Sequence, residues 1–130
     1  MTAKQRPLSP FMIGPYYKPQ LTSLMSITHR ASGVFLSVVG APLLLWWIIA
    51  LSSGPEAYAA LLECLAGWIG KLVLLACLFC LNFHLLNGIR HLVWDTGRML
   101  ELRQIYASGY VMVVCALALF GLTLLLAVRS

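Results

Sequence analysis

The sequence predicts an all-α membrane protein with three transmembrane helices, its N-terminus inside and its C-terminus outside. Composition is the first reason. Hydrophobic residues make up 61% of the 130 and charged residues 10%, where an average soluble chain has roughly 45–50% and about 25%. Such a composition excludes a disordered chain and leaves more apolar surface than a small soluble globule can cover. The second reason is that the apolar residues come in three runs without Asp, Glu, Lys or Arg: 24 residues over 31–54, 18 over 72–89 and 25 over 104–128. The third is the uneven placing of the cations, which gives the orientation.

A hydrocarbon core of about 30 Å needs about 20 helical residues, and lipid-exposed backbone must satisfy its own hydrogen bonds, so each run reads as a helix. Residues 1–24 form an inner-face arm, too broken by Pro7, Pro10, Pro15 and Pro19 for a long helix. Residues 25–130 form the three-helix anchor, with helices expected at about 26–51, 65–95 and 105–128. Pro42 predicts a kink in the first helix. Ser52-Ser53-Gly54-Pro55 reads as a turn, with Ser53 and Glu56 spaced for a capping box. Residues 55–64 read as a short outer amphipathic piece. Lys71 interrupts the second span near its outer end, where its long side chain snorkels to the headgroups. Thr96-Gly97 begins an inner loop, and the third span is nearly apolar. The first run is too long for a signal-peptide core and too far from the N-terminus. The short basic arm favours a bacterial cell inner membrane over the mitochondrial inner membrane.

Lys4, Arg6, Lys18 and Arg30 precede the first span, and Arg90, Arg98 and Arg103 lie between the second and third. Only Lys71 and Arg129 lie on the other side, so the positive-inside rule sets the arm inside. The formal charge of +5 is thus a topology signal; no basic stripe with interleaved aromatics suggests nucleic acid. Trp46, Trp47 and Trp68 fall toward the outer interface and Trp94 toward the inner one, as aromatic belts do.

Polar groups inside membrane helices are rare and face protein or a functional cavity. The second span carries Asn82, His84 and Asn87, then Arg90, His91 and Asp95. His84, Gly88, His91 and Asp95 share one face at helical spacing, and Cys77 and Cys80 extend it outward. On the first span Ser26, Arg30, Gly33, Ser37 and Gly40 form a second stripe, with His29 beside it. If the two stripes pack together, Ser26, His29, Arg30, His91 and Asp95 cluster at the inner boundary. His84 then lies about 9 Å deeper. Glycines at 33, 40 and 88 permit close helix approach or admit a flat ligand.

A neutral imidazole at that depth suits haem iron, and His29 with Arg30 suits the propionates. His84 and His91 are about 10 Å apart along one helix, so the second axial ligand would come from another chain. Plainer readings stand beside these. A membrane histidine also hydrogen-bonds neighbouring helices; Ser26 and Arg30 also fit a helix start with a positive-inside charge; Asp95 and Arg98 also fit a helix-end ion pair. Cys77-x-x-Cys80, Cys64 and Cys115 read as small apolar side chains. There is no hydrolase triad, P-loop, dinucleotide fingerprint or paired-carboxylate site.

The arm reads Arg6-Pro-Leu-Ser-Pro10 and Tyr17-Lys-Pro-Gln-Leu-Thr-Ser23, followed by Ser26-Ile-Thr-His-Arg-Ala-Ser-Gly33; the second span reads His84-Leu-Leu-Asn-Gly-Ile-Arg-His-Leu-Val-Trp-Asp95. Together these closely resemble the cytochrome b membrane-anchor subunits, the large anchors, of succinate dehydrogenase, the succinate:ubiquinone oxidoreductase of respiratory complex II. The resemblance covers the whole chain. It implies one half of a heterodimeric haem-binding helix bundle, with no independent catalysis by this chain alone. His84 corresponds to the axial ligand of haem b, and Ser26 and Arg30 to residues lining the ubiquinone pocket. His29 and Arg30 correspond to residues near the haem propionates, and His91 or Asp95 would serve a proton relay. Implied partners are a second small anchor, an iron–sulfur subunit and a flavoprotein, with FAD and iron–sulfur clusters only on those partners. The arm departs from the family pattern: Phe11 stands where His is common, and the Phe11–Tyr17 spacer is about two residues longer. The rivals are the anchor of a quinol:fumarate reductase and a non-redox transport or assembly subunit. Polar groups gathered at one boundary, with no polar path across, speak against transport.

Overall fold

A computed structural model describes residues 18–129 of the chain, which are all-helical. Helix α1 spans Leu21–Ser53, α2 Pro55–Ala66, α3 Trp68–Asp95 and α4 Leu102–Arg129. Three of the four, α1, α3 and α4, are long and apolar enough to cross a membrane. Residues 1–17 of the expected arm, with Phe11 and its spacer, lie outside the described residues.

The first helix begins at Leu21, inside the stretch assigned to the arm. The last proline of the arm is Pro19, and Gln20 is extended at φ −72° and ψ 154° while its carbonyl accepts from the Leu24 N–H at 3.0 Å. Nothing after Gln20 opposes a helix, so the span starts one turn early. The disturbance expected at Pro42 takes another form. Residues Leu36–Gly40 widen into a π-turn, and the Ala41 N–H bonds to the Leu36 carbonyl five residues back. Proline lacks an N–H and its ring crowds the carbonyl four residues earlier. A widened turn just ahead of Pro42 relieves both, a common role of π-bulges.

The expected capping box at Ser53 and Glu56 does not form. The Ser53 hydroxyl donates back to the Ile49 carbonyl at 2.8 Å, and the cap of α2 is Gly54. Gly54 has φ +111°, a conformation open to glycine, and reverses the chain so that α2 folds back on α1 and α3. The second span starts at Trp68 rather than 65, because Gly67 is extended at φ −63° and ψ 160°. One turn later Gly70 sits against the backbone of α2. A Cβ there would lie 2.6 Å from Leu65 Cα and 2.8 Å from the Cys64 carbonyl oxygen. Main-chain atoms cannot step aside as a flexible side chain does. Gly70→Ala is therefore expected to destabilise the α2–α3 corner by about 3 kcal/mol. A clearly lower thermal-inactivation temperature of the purified complex checks this; wild-type resistance would show that the corner opens freely.

The shared core is small: Met25 of α1, Phe83 of α3, and Met112 and Ala116 of α4, with Leu21, Leu86 and Val113 against it. Large apolar side chains elsewhere face outward, among them Val34, Val38, Leu85 and Val114. A soluble protein would bury these, whereas lipid or a partner helix accepts them. Trp46, Trp47 and Trp68 are exposed, as belt residues are.

Candidate functional site in the contact between α1 and α3

The two polar stripes do meet, with Gly33 of α1 tight against His84 of α3. A Cβ on Gly33 would lie 2.8 Å from His84 Cε1, so only hydrogen fits there. Gly88 of α3 faces His29 at a looser 3.8 Å. A Cβ on Gly40 would meet Leu36 of its own helix, at 3.3 Å, and not the imidazoles. Around Gly33 the polar groups interlock. The Nδ1 atom of His84 is 3.1 Å from both the Ser32 hydroxyl and the His29 carbonyl oxygen. Asn87 Nδ2 donates to His29 Nδ1 at 2.9 Å. The His29 ring lies against the His84 ring, tilted by 32° with centroids 4.0 Å apart, and His91 meets His29 edge-on at 5.3 Å.

His29 therefore packs directly on His84 rather than standing apart from it at the boundary. Its side chain crosses to α3 through the gap that Gly88 leaves. Ser26 and Arg30 come together one turn apart on α1, where Arg30 Nη2 donates to Ser26 Oγ at 3.0 Å. Arg30 is exposed and Ser26 half-buried. Asp95 is exposed at the end of α3, so His91 alone of the two expected relay residues touches the imidazole cluster.

The hydroxyls of α1 behave differently from one another. Thr28, Ser32 and Ser37 each donate to a backbone carbonyl three or four residues earlier, at 2.8–2.9 Å, as serine and threonine in helices commonly do. Ser26 instead accepts from Arg30. Its own proton is left to donate outward.

Four residues matter more than the sequence suggested. Arg90, counted above as an inner-face charge, is only 7% exposed. Its Nε donates to the Ser108 hydroxyl at 3.0 Å and its Nη2 to the Ile105 carbonyl at 2.8 Å, and its guanidinium lies 4.0 Å over the Trp94 ring. Arg90 thus straps α3 to α4 and removes Trp94 from a purely interfacial role. Gly109 makes room: a Cβ there would lie 3.1 Å from Met25 Sδ and 3.5 Å from Arg90 Nη2. The signal was present in the spacing of Phe83, Asn87 and Arg90, all buried on one face of α3. Ser32, Ser108 and Gly109 gave no comparable sign. Asn82 is also buried, and its Nδ2 has no hydrogen-bond partner among the described residues. All four cysteines are free, and among the described residues no three metal-ligating side chains converge.

Comparison with known proteins identifies the family. The profile of the succinate dehydrogenase/fumarate reductase transmembrane subunits matches residues 2–123. The chain is 41% identical over 115 residues to the succinate dehydrogenase cytochrome b556 subunit of Rickettsia typhi, covering 88% of this chain and 87% of that one. It is 35% identical over 120 residues to the corresponding subunit of Paracoccus denitrificans, covering 92% and 90%. It is 39% identical over 111 residues to the human mitochondrial cytochrome b560 subunit, covering 84% and 64%. A match of this extent, running through all three spans, leaves one assignment: the chain belongs to the succinate dehydrogenase/fumarate reductase transmembrane subunits, as a cytochrome b anchor of succinate dehydrogenase.

Proposed function

We propose that this chain holds haem b through His84 and forms part of the site where ubiquinone is reduced, with Ser26 and Arg30 touching the quinone. The observation that carries the quinone site is the Arg30–Ser26 hydrogen bond of 3.0 Å. It leaves the Ser26 hydroxyl proton free to donate to a quinone carbonyl while fixing the Arg30 cation beside it. Ubiquinone takes up two electrons and two protons to become ubiquinol. Negative charge develops on its oxygens as electrons arrive, and a preorganised cation and donor stabilise that charge most where water is excluded. His91, in contact with His29, is the group on this chain suited to hand a proton inward from the aqueous side, with Asp95 at the mouth.

The residues also fit haem. Gly33 lets the His84 ring seat closely against α1, its Nδ1 is engaged by Ser32 and the His29 carbonyl, and its Nε2 makes no hydrogen bond among the described residues, which leaves that nitrogen for iron. His29 does not complete the pair. Two imidazoles flanking one iron need ring centres more than about 6 Å apart, given metal–nitrogen bonds of about 2 Å, whereas these are 4.0 Å apart. A second residue to hold the haem would therefore come from a second membrane anchor. That anchor would cover the exposed side of α1, completing a heterodimeric bundle. For the propionates Arg30 offers a cation and His29, whose Nδ1 accepts from Asn87, a neutral Nε2–H donor. When bound, haem supplies a one-electron carrier beside the quinone site. An iron–sulfur subunit and a flavoprotein would sit on the inner face and deliver electrons from succinate. That face carries the N-terminus, and the membrane would be a bacterial inner membrane.

Arg30→Leu tests the quinone assignment. Quinone reduction by the assembled complex is expected to fall about a hundredfold, as for loss of one charge-stabilising donor. Succinate oxidation with a water-soluble acceptor should be unchanged. Wild-type quinone turnover would sink the assignment.

A further inference from the structure

We propose that Ser32 is a positioning residue for His84: beside the His29 carbonyl, its hydroxyl oxygen is a second acceptor for the His84 Nδ1–H and raises the donor strength of Nε2. The inference rests on the reading of His84 as an iron ligand.

The available protons fix the arrangement. His84 Nδ1 lies 3.1 Å from two oxygens, the Ser32 hydroxyl and the His29 carbonyl. The carbonyl can only accept. The Ser32 hydroxyl has one proton, and it is directed to that same carbonyl at 2.8 Å. What Ser32 turns toward the imidazole is therefore a lone pair. The reverse arrangement, with Ser32 donating to Nδ1, would set the Nδ1 lone pair against the carbonyl oxygen 3.1 Å away with no proton between them. Both neighbours are acceptors, so Nδ1 carries the hydrogen and Nε2 the lone pair. A histidine bound to metal is commonly held in this way through its other nitrogen, which orients the ring and makes the ligand more basic. Ser32 is only 6% exposed, and a hydrogen bond in such a dry setting is electrostatically stronger than one in water.

Ser32 and the His29 carbonyl have separable parts. The carbonyl belongs to the main chain of α1 and stays when Ser32 is replaced. In Ser32→Ala the tautomer is thus kept, the ring remains under Gly33, and one of two acceptors is lost. Nε2 becomes a weaker donor, and iron(III), which gains most from a strong donor, is stabilised less. The haem potential should rise.

The test uses the purified complex titrated spectroelectrochemically. Ser32→Ala is expected to keep its full haem content, with the ferrous-to-ferric ratio at a fixed applied potential raised about threefold to tenfold, the size of one modest hydrogen bond. Ser32→Thr, which keeps the hydroxyl, should return the potential toward wild type. A wild-type potential in Ser32→Ala would overturn the inference, as would loss of haem from it, because the carbonyl and Gly33 should hold the ring unaided. A shift that Ser32→Thr reproduces would assign the effect to packing and overturn it too. His84→Leu, measured alongside, separates the two readings. An unchanged haem spectrum there removes the ligand itself, whereas haem loss there with a wild-type potential in Ser32→Ala removes only the role of Ser32.

Discussion

The complex carrying His84→Leu is expected to lack the haem b band in its reduced-minus-oxidised spectrum. Leucine has no lone pair to offer iron, and no other imidazole of this chain stands where it could replace His84. His29 is tied by Asn87 through its own Nδ1 at 2.9 Å and leans on the ring that would be removed. The fold should survive the change. The Ser32 hydroxyl keeps its bond to the His29 carbonyl, so no buried donor is stranded, and leucine occupies much of the space the imidazole leaves. Arg90 holds α3 to α4 on another face of the helix, through Ser108 and Ile105. Membranes should then contain the assembled complex, with succinate oxidation by a soluble acceptor near wild type. The Ser26–Arg30 pair lies wholly on α1, so quinone reduction should fall less than in Arg30→Leu. An unaltered spectrum would transfer the ligand role to another residue.

Gly33→Val should give nearly the same spectroscopic loss without touching the ligand. A Cβ at this position would already lie 2.8 Å from His84 Cε1 and 3.4 Å from Nδ1, and valine adds two methyl groups beyond it. The ring cannot remain, and displacing it breaks its contacts with Ser32 and the His29 carbonyl together. Overpacking of this kind costs about 1–3 kcal/mol in a packed interior, and here the strain falls on the imidazole. Haem content of the purified complex is expected to drop to a small fraction of wild type. Gly88→Ala is the matched control. Its new Cβ would meet His29 Cε1 at 3.8 Å, an ordinary contact, so haem should be retained. If the two variants behave alike, general loosening of the α1–α3 contact rather than crowding at Gly33 is responsible.

Much of this arrangement was legible in the residues. Three charge-free runs gave three long helices, because a chain in lipid must satisfy its backbone internally. Helical spacing put His84 and Gly88 on one stripe and Ser26, Arg30 and Gly33 on another, and those stripes meet. Pro42 announced a disturbance, although the backbone absorbed it as a π-turn over Leu36–Gly40. Ser53 and Glu56 had the spacing of a capping box, but a serine ending an apolar helix satisfied itself on Ile49 first. Arg90 was misjudged for a related reason. A cation near a membrane boundary is equally compatible with water and with a buried strap, and its sequence position does not say which.

Periodic and local features follow from the order of residues alone: the class of protein, the number of spans, and which residues share a face of their own helix. How each helix is rotated against its neighbours follows from packing in three dimensions. That rotation put Ser32 rather than Ser37 beside His84, set the His29 ring against it, and turned Arg90 toward Ser108. The physical reason is that water sorts the faces of a soluble helix into inner and outer, whereas lipid is as apolar as leucine and does not. Among faces so alike, small residues and a few hydrogen bonds choose the contact, and their partners lie dozens of residues away.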